Sequence, residues 1–562
     1  MKRRRSIFAA VLVMACALAL TACAGLPTGG AVQEGREAGS DAGPPDISFR
    51  PNGPQPGATP EQIVDGFLLA GSGPAATAGS SEWSTAREFL GASISSQWNP
   101  SAGVTIDQLT ARQPRLIDEN TVQVSIVPIA TVDDKGAYDR ADGGTIVLTF
   151  DLGKNADGEW RIARAPDGIV LDSTTFTQVF QHYSLAYFDP TWTFLVPDVR
   201  WFPRTNTATR IADALINKPP SDWLAPAIKT AFPEEVGANP AVPVASGVAA
   251  VTLTDALGVD QTSLDRMQTQ LEASLGGAGV SEVEMLVDNT VLPAQPVATR
   301  RTAVTGPALA RIEQGFGFLT GDELTEIPGL SEAMADVDSS AIQVAPDRNL
   351  AAVQTTDGSV ARVPATGSVS VLDSRPGLVN PTVDPSGVIW TVPADSPQAV
   401  VAFLPDGRAS QIAAAWPGAT HIGGMAVSRD GARMAALVTS GNRTSVWIAG
   451  IVQVDGVPKG LSEAFELGVV EGTGVGLAWL DDTTVGVLAA DGTATVVLEQ
   501  LVGGPGATTP GPEGAASIAG ANSISSVRLR GADGTLYIKR GANWQETASG
   551  ILVLATQQGT PE

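Results

Sequence analysis

The feature that most constrains the fold is a recurrence in the C-terminal half of the chain. Strand-length apolar runs alternate there with acidic or glycine turns. Residues 341–345 and 350–354 flank Asp347, and residues 379–383 and 388–392 flank Asp384-Pro385-Ser386-Gly387. Residues 424–428 and 434–438 flank Asp430-Gly431, and residues 475–480 and 485–489 flank Asp481-Asp482. Asp347, Asp384, Asp430 and Asp481 lie 37, 46 and 51 residues apart. Second turns fall between them at Asp357-Gly358, Asp406-Gly407, Gly441-Asn442 and Asp491-Gly492. Asp533-Gly534 marks a fifth unit, and Gly321-Asp322 marks a sixth. Four short strands per unit, at about 40–50 residues, is the period of a β-propeller. One four-stranded blade cannot bury both of its faces, so blades must stack into a ring. The spacing predicts an all-β propeller over 303–562 with five to seven blades, six fitting best. A strand over 550–556 is expected to close the ring.

The other end of the chain carries an export signal. Lys2, Arg3, Arg4 and Arg5 precede an apolar run over 7–20. As a helix that run is about 21 Å long against a hydrocarbon core of about 30 Å, too short for a span and right for a signal peptide. Leu20-Thr21-Ala22-Cys23 follows and resembles the lipobox of bacterial lipoproteins. The resemblance implies removal of residues 1–22, a diacylglycerol on the Cys23 thiol, and palmitate-like acyl chains holding the protein to the outer face of the cell membrane. Two acyl chains are what stable anchoring requires. Residues 23–58, rich in Gly, Pro and acidic side chains, read as a flexible tether.

Two α+β regions lie between tether and propeller. In the first, over 59–175, Thr59-Pro60-Glu61-Gln62 is a capping box with proline at the first helical position. Ile63, Val64, Phe67 and Leu68 then share a face, and Trp83, Ala86, Phe89 and Leu90 suggest a second helix. Val122, Val124 and Ile126 alternate as in a half-buried strand, and residues 145–152 and 159–163 form strands about the Asn155-Ala156-Asp157-Gly158 turn. Helices before a curved sheet resemble the cone-shaped nuclear-transport-factor-2 (NTF2-like) fold.

In the second region, over 185–290, residues 193–196 and 199–202 are strand-like about Pro197. A helix over 207–217 uses Ile211, Ala214 and Leu215, and Lys218-Pro219-Pro220 stops it. Residues 248–254 alternate. Thr262-Ser263 opens a helix whose Leu264, Met267, Leu271 and Leu275 form a core stripe, and Val283, Met285 and Val287 make a last strand. With Leu195-Val196-Pro197 and Ala231-Phe232-Pro233, this order is similar to the GerMN domain of spore-germination proteins. That resemblance implies an interaction domain without catalytic residues.

The chain of 562 residues has a formal net charge of −24 and a pI near 4.5. Phosphate binding needs a dense basic footprint, so nucleic acid is excluded as a partner. Cys16 and Cys23 are the two cysteines and His182 and His421 the two histidines. Zinc sites and Ser-His-Asp chemistry need more such groups, or a nucleophile-elbow context, than these supply. The Asp-rich turns lack the spacing of a calcium loop, and turn chemistry accounts for them. No phosphate-cradling or dinucleotide motif occurs. The reading is a non-enzyme with no cofactor, no metal ligands and no catalytic residue, Cys23 being its one site residue. His182, flanked by Phe180 and Tyr183, reads as a packed or linker residue.

Lipobox, tether, NTF2-like region, GerMN region and propeller in this order resemble the LpqB-type lipoproteins of high-GC Gram-positive bacteria. Trp201-Phe202-Pro203, Ala231-Phe232-Pro233 and the run from Pro219 to Ala227 carry the resemblance most specifically. It implies an accessory to the MtrAB two-component system, with the extracytoplasmic domain of the sensor histidine kinase MtrB as partner, acting in cell-envelope and division signalling. The competing class is a cell-wall glycan-binding or glycan-processing protein, which would need carboxylates or aromatics converging on the propeller channel.

Overall fold

The computed structural model describes residues 51–74, 82–492 and 494–561. The signal segment, Cys23 and most of the tether lie outside the described residues. The described residues belong to one compact unit.

The first domain begins with the helix Pro60–Ala70. Thr59 caps it through the Gln62 amide, and the Gln62 side chain accepts from the Thr59 amide in return at 2.9 Å. Ile63, Val64, Phe67 and Leu68 are its buried face. The Trp83–Leu90 periodicity yields only the five-residue helix Ser84–Glu88. Trp83 is left-handed at φ 53° and donates its indole N–H to Gly71 O, and Leu90 bridges to Ile162. Those residues are buried because a short turn packs on the sheet, which mimics helical spacing. Two four-stranded sheets follow. One joins Gln113–Leu116, Thr121–Ile126, Ile146–Lys154 and Trp160–Arg164. The other joins Tyr138–Arg140, Pro128–Asp133, Gly103–Asp107 and Ile169–Asp172, the last pair parallel. Val122, Val124 and Ile126 point inward and are fully buried. A cavity of about 330 Å³ is bounded by both sheets and by Phe67, Trp98 and Phe150.

The second domain corrects the sequence reading in three places. The strand pieces about Pro197 are one strand, Leu195–Pro203, paired along its whole length with Phe180–Phe188. Proline is tolerated because its opposite residue, Ala186, turns its polar groups elsewhere. Ala186 donates its N–H to Ser274 Oγ and accepts from Gln270 Nε2, both on the helix Gln261–Gly276. That helix is capped by Asp260, through the Ser263 amide, rather than opened by Thr262. Its Leu264, Met267, Leu271 and Leu275 are core, as their spacing predicts. Residues 176–184, which the sequence reading left between the two regions, belong to both: the helix Ser173–Val179 runs into the strand Phe180–Phe188, and Phe176, Val179 and Phe180 belong to the first domain's core.

Among the described residues the third domain holds six four-stranded blades, two of which carry an added strand. The blades are Ala308–Ile312 to Glu323–Glu326, Ser339–Val344 to Ser370–Asp373, Thr382–Val383 to Ala409–Gln411, His421–Val427 to Phe465–Val469, Thr473–Trp479 to Gly506–Pro510 and Ala515–Ala519 to Asn543–Ala548. The innermost strands touch in ring order. Blade 1 lacks its own innermost strand, and Val553–Leu554 supplies it beside Ala310 and Arg311, closing the ring. The repeated aspartates act locally. Asp384 Oδ1 accepts from the Ser386 and Val388 amides, and Asp481 Oδ1 from those of Thr483 and Thr484. The second turns are not equivalent: Asp357-Gly358 joins the second strand to the third and Asp406-Gly407 the third to the fourth, and the Asp533-Gly534 mark joins the second to the third.

Candidate functional site

Among the described residues, polar side chains gather inside the molecule at the junction of the three domains and at the propeller axis, among other places. At the junction the strand Leu195–Pro203 touches all three domains. Asp198 and Arg200 lie on one face of it, i and i+2. Asp198 Oδ2 accepts from Arg200 Nη2 at 2.7 Å, and the Ser221 hydroxyl and amide donate to the same carboxylate at 2.7 and 2.9 Å. Arg200 reaches Lys135 O in the first domain. Burial works against the guanidinium's charge, but the Asp198 carboxylate beside it raises its pKa. The Trp201 ring packs tilted against Phe176 of the first domain, and Trp201 donates its indole N–H to Gly503 O at 2.9 Å and its backbone N–H to Gly136 O at 2.8 Å.

The run from Pro219 to Ala227 docks the second domain onto the propeller. Leu224 packs with Val196 and Ala432, Trp223 O accepts from the Ser462 hydroxyl, and Ala227 lies against Gly450. A Cβ on Gly450 would meet the Ala227 Cβ at 2.8 Å. The segment that carries the family resemblance therefore performs domain docking. Thr302 donates to Asp482 at 2.7 Å on the same face of the propeller.

His182 is on the strand Phe180–Phe188, its ring 5.3 Å from that of Trp201. Burial lowers its pKa, with the Asp481 carboxylate opposing. His421 is exposed and pairs with Asp395 at 2.9 Å. Among the described residues no group of three or more His, Cys, Asp or Glu could hold a metal. Cys23 lies outside the described residues.

The axial cavity, about 110 Å³, is lined by the innermost strands of the blades and by the tail residues Thr556, Gln557 and Gln558. Its lining includes no aspartate or glutamate, and Arg429 is its charged member. Sequence reasoning missed both sites. The Asp198-Val199-Arg200 alternation, two charges on one side of an apolar strand, was the available signal for the junction. The axial residues had none.

No helix among the described residues is long and apolar enough to cross a membrane. The family model of the lipoprotein LpqB N-terminal domain matches residues 53–177, that of sporulation and spore germination (Germane) residues 184–293, and that of the lipoprotein LpqB beta-propeller domain residues 308–552. Lipoprotein LpqB of Thermobifida fusca is 34% identical over 284 residues, an alignment spanning 47% of this chain and 44% of that protein. Lipoprotein LpqB of Bifidobacterium longum is 27% identical over 494 residues, spanning 82% and 81%. Lipoprotein LpqB of Streptomyces avermitilis is 24% identical with 97% of each chain covered. By these three domains in this order, the chain belongs to the LpqB lipoprotein family.

Proposed function

We propose that this lipoprotein is held by a lipid on Cys23 to the outer face of the cell membrane. There it acts as a non-catalytic partner of the extracytoplasmic domain of an MtrB-type sensor histidine kinase. The observation that carries the reading is the junction: hydrogen bonds of Asp198, Arg200, Trp201 and Trp223 tie three domains into one unit. A body so tied presents a fixed surface, which lowers the ordering cost of binding another protein. Confinement to the membrane raises its effective concentration near a membrane-bound kinase. Glycan processing at the propeller axis finds less support, because the axial lining offers no carboxylate pair.

Cross-linking of the full-length lipoprotein to the kinase's outer domain tests the partner. Enrichment over an unrelated lipoprotein is expected, and equal recovery of the two would overturn the reading. Mass spectrometry of the processed chain tests the anchor. A diacylated Cys23 at the N-terminus is expected, and Cys23→Ala should release the protein from membranes.

A further inference from the structure

We propose that the axial cavity of the propeller is a binding site for a small carboxylate that also carries a hydrogen-bond donor, of the size and chemistry of an amino acid or a hydroxy acid.

The cavity lies between the innermost strands of the blades. In blades 2, 4 and 5 the innermost strands are exposed where they begin, at Ser340, His421 and Thr473, and buried where they end, at Val344, Val427 and Trp479. The buried end is closed by the chain's own tail. Thr556 and Gln557 run parallel to Gln343 and Val344 in blade 2, and the Gln558 amide donates to Val344 O at 3.0 Å. Gln558 Nε2 then donates to Gln343 Oε1 and to Val427 O, both at 3.1 Å, spanning from blade 2 to blade 4.

Arg429, Gln557 and Ser517 are among the polar residues of its lining. Arg429 is 4% exposed, and its Nη2 donates to Trp479 O at 3.1 Å. Burial lowers its pKa, with Asp482 and Asp481 partly opposing. A buried cation in an otherwise uncharged lining selects an anion. Gln557 is 7% exposed, and its Oε1 has no hydrogen-bond partner within the protein. The Ser517 hydroxyl is likewise buried and without a partner. An orphan amide oxygen calls for a donor, and a hydroxyl serves either role. At about 30 Å³ per water, 110 Å³ admits about four waters or one solute of a few heavy atoms. A carboxylate for Arg429 with an attached N–H or O–H for Gln557 Oε1 matches the charge and the free acceptor of this lining.

The test is calorimetric titration of the full-length lipoprotein in detergent with glycine, L-alanine and lactate, against acetate, which lacks the donor, and ethanolamine, which lacks the carboxylate. At least one of the first three is expected to bind, with acetate at least tenfold weaker and ethanolamine silent. Ser517→Leu, which fills the cavity, should abolish binding, and Arg429→Gln should weaken it at least tenfold. Should Arg429→Gln fail to fold by circular dichroism, Gln557→Glu, which sets a second carboxylate against the ligand, must abolish binding instead. No binding of any of the three to the wild type, acetate binding as tightly as glycine, or binding that survives Ser517→Leu would each overturn the assignment.

Discussion

The carboxylate of Asp198 and the guanidinium of Arg200 meet at 2.7 Å with side chains 2% and 1% exposed, where three domains converge. Ser221 donates twice to the same carboxylate, and Lys135 O accepts from the guanidinium. A buried pair is costly to assemble, and breaking it from one side leaves an uncompensated charge.

Arg200→Met should therefore destabilise the protein by about 3–5 kcal/mol. The double variant Asp198→Asn, Arg200→Met should recover part of that loss, because it leaves no lone buried charge. Urea unfolding measures both. A single-variant cost below about 1 kcal/mol would mean water reaches the pair.

Burial pushes the Asp384 carboxyl up to about 6, against the Val388 and Ser386 amides that favour its charged form. Its ordinary value is about 3.9. The folded state thus holds this proton more tightly than the unfolded chain. The resulting stabilisation is present below about pH 4 and is lost as pH rises through 6. Asp384→Asn keeps an oxygen for the two amides and removes the titration. Relative to that variant, the wild type should lose up to about 3 kcal/mol between pH 4 and pH 7. Unfolding titrations at three pH values suffice, and a pH-independent difference would refute it.

Gln558 holds the tail inside the ring through Val344, Gln343 and Val427. Gln558→Ala leaves buried acceptors unpaired and should cost about 1–3 kcal/mol. Deleting 553–562 removes the innermost strand of blade 1 as well. Its unfolding should lose cooperativity, which calorimetry reads as a van't Hoff enthalpy below the calorimetric one.

Gly136 is at φ +83°, and a Cβ there would stand 2.8 Å from the Phe202 ring and 2.9 Å from Trp201 O. Gly136→Ala should cost about 1–3 kcal/mol through strain. It should also loosen the contact between the first and second domains, seen as faster limited proteolysis between them. Wild-type cleavage kinetics would count against this role.

Local patterns were legible in the sequence. The Thr59–Gln62 box, the alternation of Val122, Val124 and Ile126, the Leu264–Leu275 stripe and the repeated Asp turns each depend on neighbours a few residues away. Periodicity and turn chemistry encode such features directly. Tertiary structure decided the rest. Pro197 lies within a continuous strand because Ser274 and Gln270 take up the polar groups of Ala186. Asp198 finds Ser221, Trp201 finds Gly503, and Gln558 enters a ring begun some 250 residues earlier. These pairings follow no period along the chain. They exist because burial places groups distant in sequence at one point, where each must find its charge or hydrogen-bond partner away from water.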